Sequence, residues 1–266
     1  MKTIKETYND IKEFVDNFSN STTHQDYSPH PKENAPAWYA EWDDNYIGSF
    51  VENPITRQCL RTIADHYYAD QFEAILSQST ELTEFSYPTL CQVYVECCDA
   101  LGLYQRPTAY VTSRLQGINA LSVEVKRKKV VLISVHASMR LTPEEQSFLI
   151  GHELGHHQQG NLVCHTVNGL IENLTNKSEI FGSIISDAIE VPLKRWCRCS
   201  EFNADRAGYI CCKELDVVKS LFEKLGMRQT LSPYGEYKEV GSSHPSFQTR
   251  LEKISEYTIT PKPTAL

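Results

Sequence analysis

"LIGHELGHHQQG", residues 149–160, decides how this chain is read. On a helix, residues four apart stand one turn above each other on the same face. His152 and His156 can therefore aim two imidazoles at one point. Glu153, offset by about 100°, stands beside them without joining their line. Two neutral nitrogens, a third protein ligand and a position left open to water make up a catalytic zinc site. Such an ion brings the pKa of water down toward ~7, and a carboxylate placed like Glu153 can take the proton during attack on a carbonyl. H-E-x-x-H also arises by chance in roughly one chain of this length in a hundred, so its surroundings must carry part of the weight.

Those surroundings favour a buried, closely packed helix. "LTPEEQ" places Thr142 as N-cap, Pro143 at the first helical position and Glu145 at the capping-box position. Leu149, Ile150 and Leu154 anchor the helix in a core. Gly151 and Gly155 each cost up to ~1 kcal/mol relative to alanine, which helix stability alone would not select, but they let another element approach closely. His157 lies off the ligand face and reads as a surface or packing residue.

The partner is expected in "SEFNADRAG", residues 200–208. Glu201 and Asp205 are again four apart, and Ala204, Ala207 and Gly208 offer a smooth face for tight helix packing. Glu201 can complete a two-His, one-Glu site for one Zn2+ per chain. Asp205 can accept a hydrogen bond from the free N–H of a ligand imidazole and so fix its tautomer. By itself this segment would sooner read as a charged helix face with no role; the upstream motif reverses the balance.

Together these stretches resemble the gluzincin metallopeptidases of the HtpX and CAAX prenyl protease type. The resemblance rests on "LTPEEQSFLIGHELGHHQQGN", "SEFNADRAG" and "SSHPSFQTRLEKI", in the family's order. It also takes in "PTAYVTSRLQGINALSVEVKRKKVVLIS", where Asn119-Ala120 precedes a strand, and it covers about residues 105–255. It implies His152, His156 and Glu201 as zinc ligands, Glu153 as general base and Asp205 as a carboxylate supporting a ligand. Substrate is expected to dock by adding a strand to the sheet edge near Asn119 to Val123, with Asn119 and Ala120 as its contacts. Many members carry membrane-spanning helices between the two zinc motifs. Here the interval 161–199 is polar, and residues 1–104 carry no recognised motif, so the membrane-protein and prenyl-protein substrates are not carried over.

His244 precedes Pro245 at the start of an expected final helix, where a donor could stabilise the charge developing on the carbonyl oxygen. The family's His-Pro followed by an arginine falls at this place. Arg250, further along that helix, is expected to anchor substrate or a nearby carboxylate. Simpler alternatives are a capping histidine and a surface arginine.

The rest of the chain frames this site. Residues 1–18 have helical apolar spacing, and the Pro-rich segment 27–46 holds Trp38, Tyr39, Trp42 and Tyr46, so it either straps the surface or gates the groove. Residues 54–78 and 88–101 read as helices. Runs at 108–113, 118–125 and 129–134 read as strands of a small meander, with "KRKK" as a charged hairpin turn. The expected fold is α+β, a mainly helical zincin-like domain with a small, mostly antiparallel sheet above the active-site helix. Its parts are an N-terminal helical region, 1–104, and a metallopeptidase domain, 105–266, or one continuous globule.

A net charge of −8 argues against nucleic-acid and anionic-membrane partners. No apolar run is long enough to span a bilayer, and the N-terminus lacks a signal-peptide core. The nine cysteines read as reduced thiols of a cytoplasmic protein. Cys197, Cys199, Cys211 and Cys212 do not have the spacing of a recognised zinc knuckle. The function these features point to is a soluble zinc endopeptidase acting on extended or unfolded polypeptide. A catalytically silent zinc scaffold, or a non-peptidase metallohydrolase acting on small amides, stands as the alternative.

Overall fold

A computed structural model describes residues 54–160, 162–174, 187–226 and 244–259, together with Glu13. The segment 27–46 and, Glu13 apart, the helix expected within 1–18 lie outside the described residues. The elements are α1 (Pro54–Ser77), β1 (Thr80–Glu81), α2 (Pro88–Ala100), β2 (Thr108–Thr112), β3 (Ala120–Val125) and β4 (Lys128–Ser134). They continue with α3 (Val135–Arg140), α4 (Pro143–Gln159), α5 (Leu162–Leu174), α6 (Asp187–Cys212), α7 (Leu215–Lys224) and α8 (Phe247–Ile259). This is the mainly helical α+β architecture expected from sequence, with one small sheet.

The sheet runs β1-β2-β4-β3. The β1/β2 and β3/β4 pairs are antiparallel, but β2 and β4 run parallel, from Thr108↔Val130 to Thr112↔Ser134. The expected meander is therefore corrected: β4, not β3, lies next to β2. The cause is the apolar character of β4 on both faces. Val130 and Leu132 pack with Ala69, Phe72 and Leu76 of α1. Val131 and Ile133 join the larger core that includes Val93 of α2 and Ile150 and Leu154 of α4. A strand buried on two faces takes the interior position, and β3 is left at the edge. Lys126 and Arg127 make the expected hairpin turn in left-handed backbone, φ 50° and 61°.

The start of α4 is as the sequence foretold. The Thr142 hydroxyl accepts from the Glu145 N–H, and the Glu145 carboxylate accepts from the Thr142 N–H at 2.9 Å. Gly160 ends the helix in left-handed conformation, φ 78°. The edge strand lies against this helix: the Ser122 hydroxyl donates to the Glu153 carbonyl at 2.9 Å. The larger apolar core runs from Leu82 to Ile254, so α2 packs with the helices that follow residue 105. Among the described residues, no helix is long and apolar enough to cross a membrane.

Candidate active site

The site lies where α4 crosses α6, and glycine sets the separation. A Cβ on Gly155 would stand 2.8 Å from the Ala207 Cβ and 3.0 Å from the Ala204 Cα. One on Gly151 would stand 2.6 Å from the Cys211 Sγ and 3.0 Å from the Gly208 Cα. Gly208 in turn leaves room for the Phe148 carbonyl oxygen, 2.8 Å from where its own Cβ would be. The small residues on both helices let two backbones meet closely enough for short side chains to converge.

His152 and His156 present their Nε2 atoms 3.1 Å apart. Glu201 closes the triangle, with Oε1 3.3 Å from His156 Nε2 and Oε2 3.6 Å from His152 Nε2. Donors each about 2.1 Å from one tetrahedral ion stand roughly 3.4 Å apart, which is the spacing this triangle has. Among the described residues, these three form the group able to hold a metal ion. The nitrogens turned away are engaged: His152 Nδ1 lies 2.9 Å from Asp205 Oδ1, and His156 Nδ1 lies 3.3 Å from Ser200 Oγ.

The charge balance also suits a cation. Glu153, Glu201 and Asp205 are buried carboxylates, and Arg250 is the buried guanidinium among them. Burial by itself would raise the Glu201 carboxyl, yet His244, His152 and His156 hold it well below the usual carboxylate range. Asp205 is likewise lowered, because Arg250 and His152 outweigh its burial. Burial disfavours a charged His152, but Glu201 and Asp205 overcome this and raise its pKa. The site draws positive charge onto itself.

Arg250 is held by Asp205 at both oxygens, Nε to Oδ2 at 2.8 Å and Nη2 to Oδ1 at 2.6 Å, and its Nη1 is 3.5 Å from Glu201 Oε2. Of the two partners expected for it, a nearby carboxylate is the one it grips. His244 is more than half exposed, with Nδ1 3.3 Å from Glu201 Oε2. Asn119, Ala120, Glu153, His244 and Arg250 line one cleft of about 450 Å3 with the three metal-type donors. Apolar walls come from Leu149, Leu225 and Phe247.

His157 lies off the cleft, and burial pushes its imidazole down to about 4. Cys197, Cys199, Cys211 and Cys212 are strung along α6, roughly 22 Å from first to last at about 1.5 Å per residue. Spread along one helix, these four do not form a metal knuckle, in keeping with their spacing in the sequence. The residues that sequence reasoning missed are Gln159, His165 and Ser200. Ser200 directly precedes Glu201 and Gln159 lies three residues past His156, so both lay within the motifs, but polar side chains with no chemistry of their own gave no signal.

The sequence model of a family described as "Peptidase family M48" matches residues 87–258, well over half of the chain. A curated relative, "Plastoglobule-localized metallopeptidase 48, chloroplastic" of Arabidopsis thaliana, is 31% identical over 133 residues. That stretch is 49% of this chain and 38% of the relative, so the chain spans well under two-thirds of the relative's length. No solved structure matches the chain significantly.

Proposed function

Because the chain belongs to peptidase family M48, we propose that it is a zinc-dependent endopeptidase cutting extended or unfolded polypeptide segments. The observation that carries this reading is the convergence of His152, His156 and Glu201 donor atoms within 4.8 Å, in a cleft that Glu153 also lines. One zinc ion per chain would be held by those three residues. When bound, zinc supplies a Lewis acid that brings a water toward deprotonation near neutral pH.

Glu153 is the general base in this reading: it takes a proton from the attacking water and delivers it to the leaving amine. His244, at the mouth of the cleft, donates an N–H to the carbonyl oxygen as negative charge develops there. Asp205 holds His152 in the tautomer that leaves Nε2 unprotonated, and Arg250 keeps Asp205 ionised and in place. The substrate adds a strand beside Asn119 and Ala120. In an antiparallel ladder alternate residues turn their N–H and C=O groups outward, and β3 is an edge strand. Further along, the Glu124 N–H is already given to the Thr166 hydroxyl of α5, which limits docking to the end of β3 nearest the cleft.

The eight cysteines whose side chains are described are free thiols, which supports a reducing compartment, and the cytoplasm is the proposed one. The test is hydrolysis of casein and a random peptide library by zinc-loaded protein with and without chelator. Chelator-sensitive cleavage at internal bonds is expected. Stoichiometric zinc with no cleavage of any peptide would favour the silent scaffold, and cleavage confined to small amides the non-peptidase hydrolase.

A further inference from the structure

Behind His156 lies a closed hydrogen-bond cluster that the proposed chemistry does not use. Gln159 of α4 clamps Ser200 of α6 at two points: its Nε2 donates to the Ser200 carbonyl at 3.1 Å, and its Oε1 accepts from the Ser200 hydroxyl at 2.8 Å. A backbone carbonyl can only accept, so the amide cannot be flipped, and Oε1 must face the hydroxyl. The single hydroxyl proton of Ser200 is thereby committed to Gln159. Two imidazole nitrogens also reach the same oxygen: His165 Nε2 at 2.9 Å and His156 Nδ1 at 3.3 Å. With its proton already given, the oxygen can only accept from them. His156 must then carry its proton on Nδ1, which leaves the Nε2 lone pair facing His152 and Glu201. Ser200 and Gln159 are both about nineteen-twentieths buried or more, so water does not compete for these bonds. His165 is held in place between His156 and Trp196, ring centroids 4.2 Å and 5.0 Å away.

We propose that Ser200, clamped by Gln159, is the positioning residue that fixes the tautomer of His156 and so sets how tightly the site holds its ion. His165 steadies the hydroxyl as its second donor. This rests on the reading of His156 as a zinc ligand. It makes the two histidines unequal: His152 leans on a carboxylate, Asp205, and His156 on a neutral hydroxyl whose direction is dictated by an amide. A hydroxyl is a useful orienter only when its own proton is tied elsewhere, which is the part Gln159 plays.

Zinc affinity of the full chain, measured by chelator competition, tests this without any assay of turnover. Ser200→Ala is expected to weaken binding by about 10–100-fold, the usual scale for a residue supporting a ligand. Ser200→Thr, which keeps the hydroxyl, should restore most of the affinity, and Gln159→Leu, which frees the hydroxyl proton, should weaken it. Long-range 1H–15N spectra of the zinc-loaded wild type should show His156 protonated at Nδ1. Wild type and His156→Ala binding zinc equally would dismiss the metal site itself. Loss of zinc in His156→Ala with Ser200→Ala unchanged, or a His156 that lacks the Nδ1 proton, would overturn the role of Ser200 alone. Should Ser200→Ala fail to fold, the Nδ1 proton of the wild type and the affinity of Ser200→Thr decide.

Discussion

Glu153→Gln is expected to keep both fold and zinc while hydrolysis falls by about 10²–10⁴-fold, because the amide preserves shape and loses the base. His244→Ala should also keep zinc but lose about 10²–10³ in turnover, the scale of one donor to a developing oxyanion. Single-turnover kinetics with metal analysis checks both; zinc loss in the second variant would make His244 a ligand. Arg250→Met tests a different idea, that the buried guanidinium holds Asp205 ionised. Removing one partner of a buried ion pair costs about 3–5 kcal/mol, read here as the loss in denaturant unfolding of metal-free protein at pH 7. Asp205 has a lowered pKa in the folded state, so its contribution is present above the unfolded value near ~3.9 and is lost as pH falls through the lower folded value. The deficit of Arg250→Met should therefore be greatest at neutral pH and narrow on acidification. A deficit independent of pH would show that lost packing, not charge, is responsible. At this scale Glu201 and Asp205 were legible because their spacing repeats that of His152 and His156. Ser200 was not, since a serine before a glutamate says nothing until Gln159 and His165 are seen around it.

At the scale of elements, the contact between α4 and α6 is the test case. Gly155→Ala would gain up to ~1 kcal/mol in helix propensity, yet its Cβ would press on the Ala207 Cβ at 2.8 Å and on the Ala204 backbone at 3.0 Å. Overpacking of this kind costs about 1–3 kcal/mol, so net destabilisation is expected. Zinc affinity should fall with it, because the proposed ligands are divided between the two helices. Thermal unfolding and chelator competition measure the two effects separately. A variant as stable as wild type, with unchanged affinity, would mean that the helices part without cost. The capping box and the small faces of both helices were legible because each is local chemistry. Strand order was not. Periodicity marked three strands, but β4 is placed next to β2 by cores above and below it, and those are assembled from α1, α2 and α4, distant in sequence.

For the whole molecule, the proposed zinc ion, held by residues of both α4 and α6, would tie folding to metal. A ligand that binds the folded chain stabilises it by RT ln(1 + [L]/Kd), about 2.7 kcal/mol at a hundredfold excess over Kd. Stripping zinc is therefore expected to lower the unfolding temperature, and re-addition of zinc should restore it, rising with the logarithm of free zinc above Kd. His156→Ala should be insensitive to both treatments; equal sensitivity in that variant would place the stabilising ion elsewhere.

The sequence by itself determined the metal-type donors, the helix that carries two of them, the family resemblance and the fold class. Each of these follows from spacing within a short segment, where helix geometry fixes which side chains share a face. Tertiary structure alone decided the parallel pairing of β2 with β4, the grip of Arg250 on Asp205 and the convergence of Gln159, His165 and Ser200 behind His156. These join residues between 35 and 45 positions apart or strands ordered by two separate cores. What brings them together is the burial of apolar surface, which acts without regard to position along the chain.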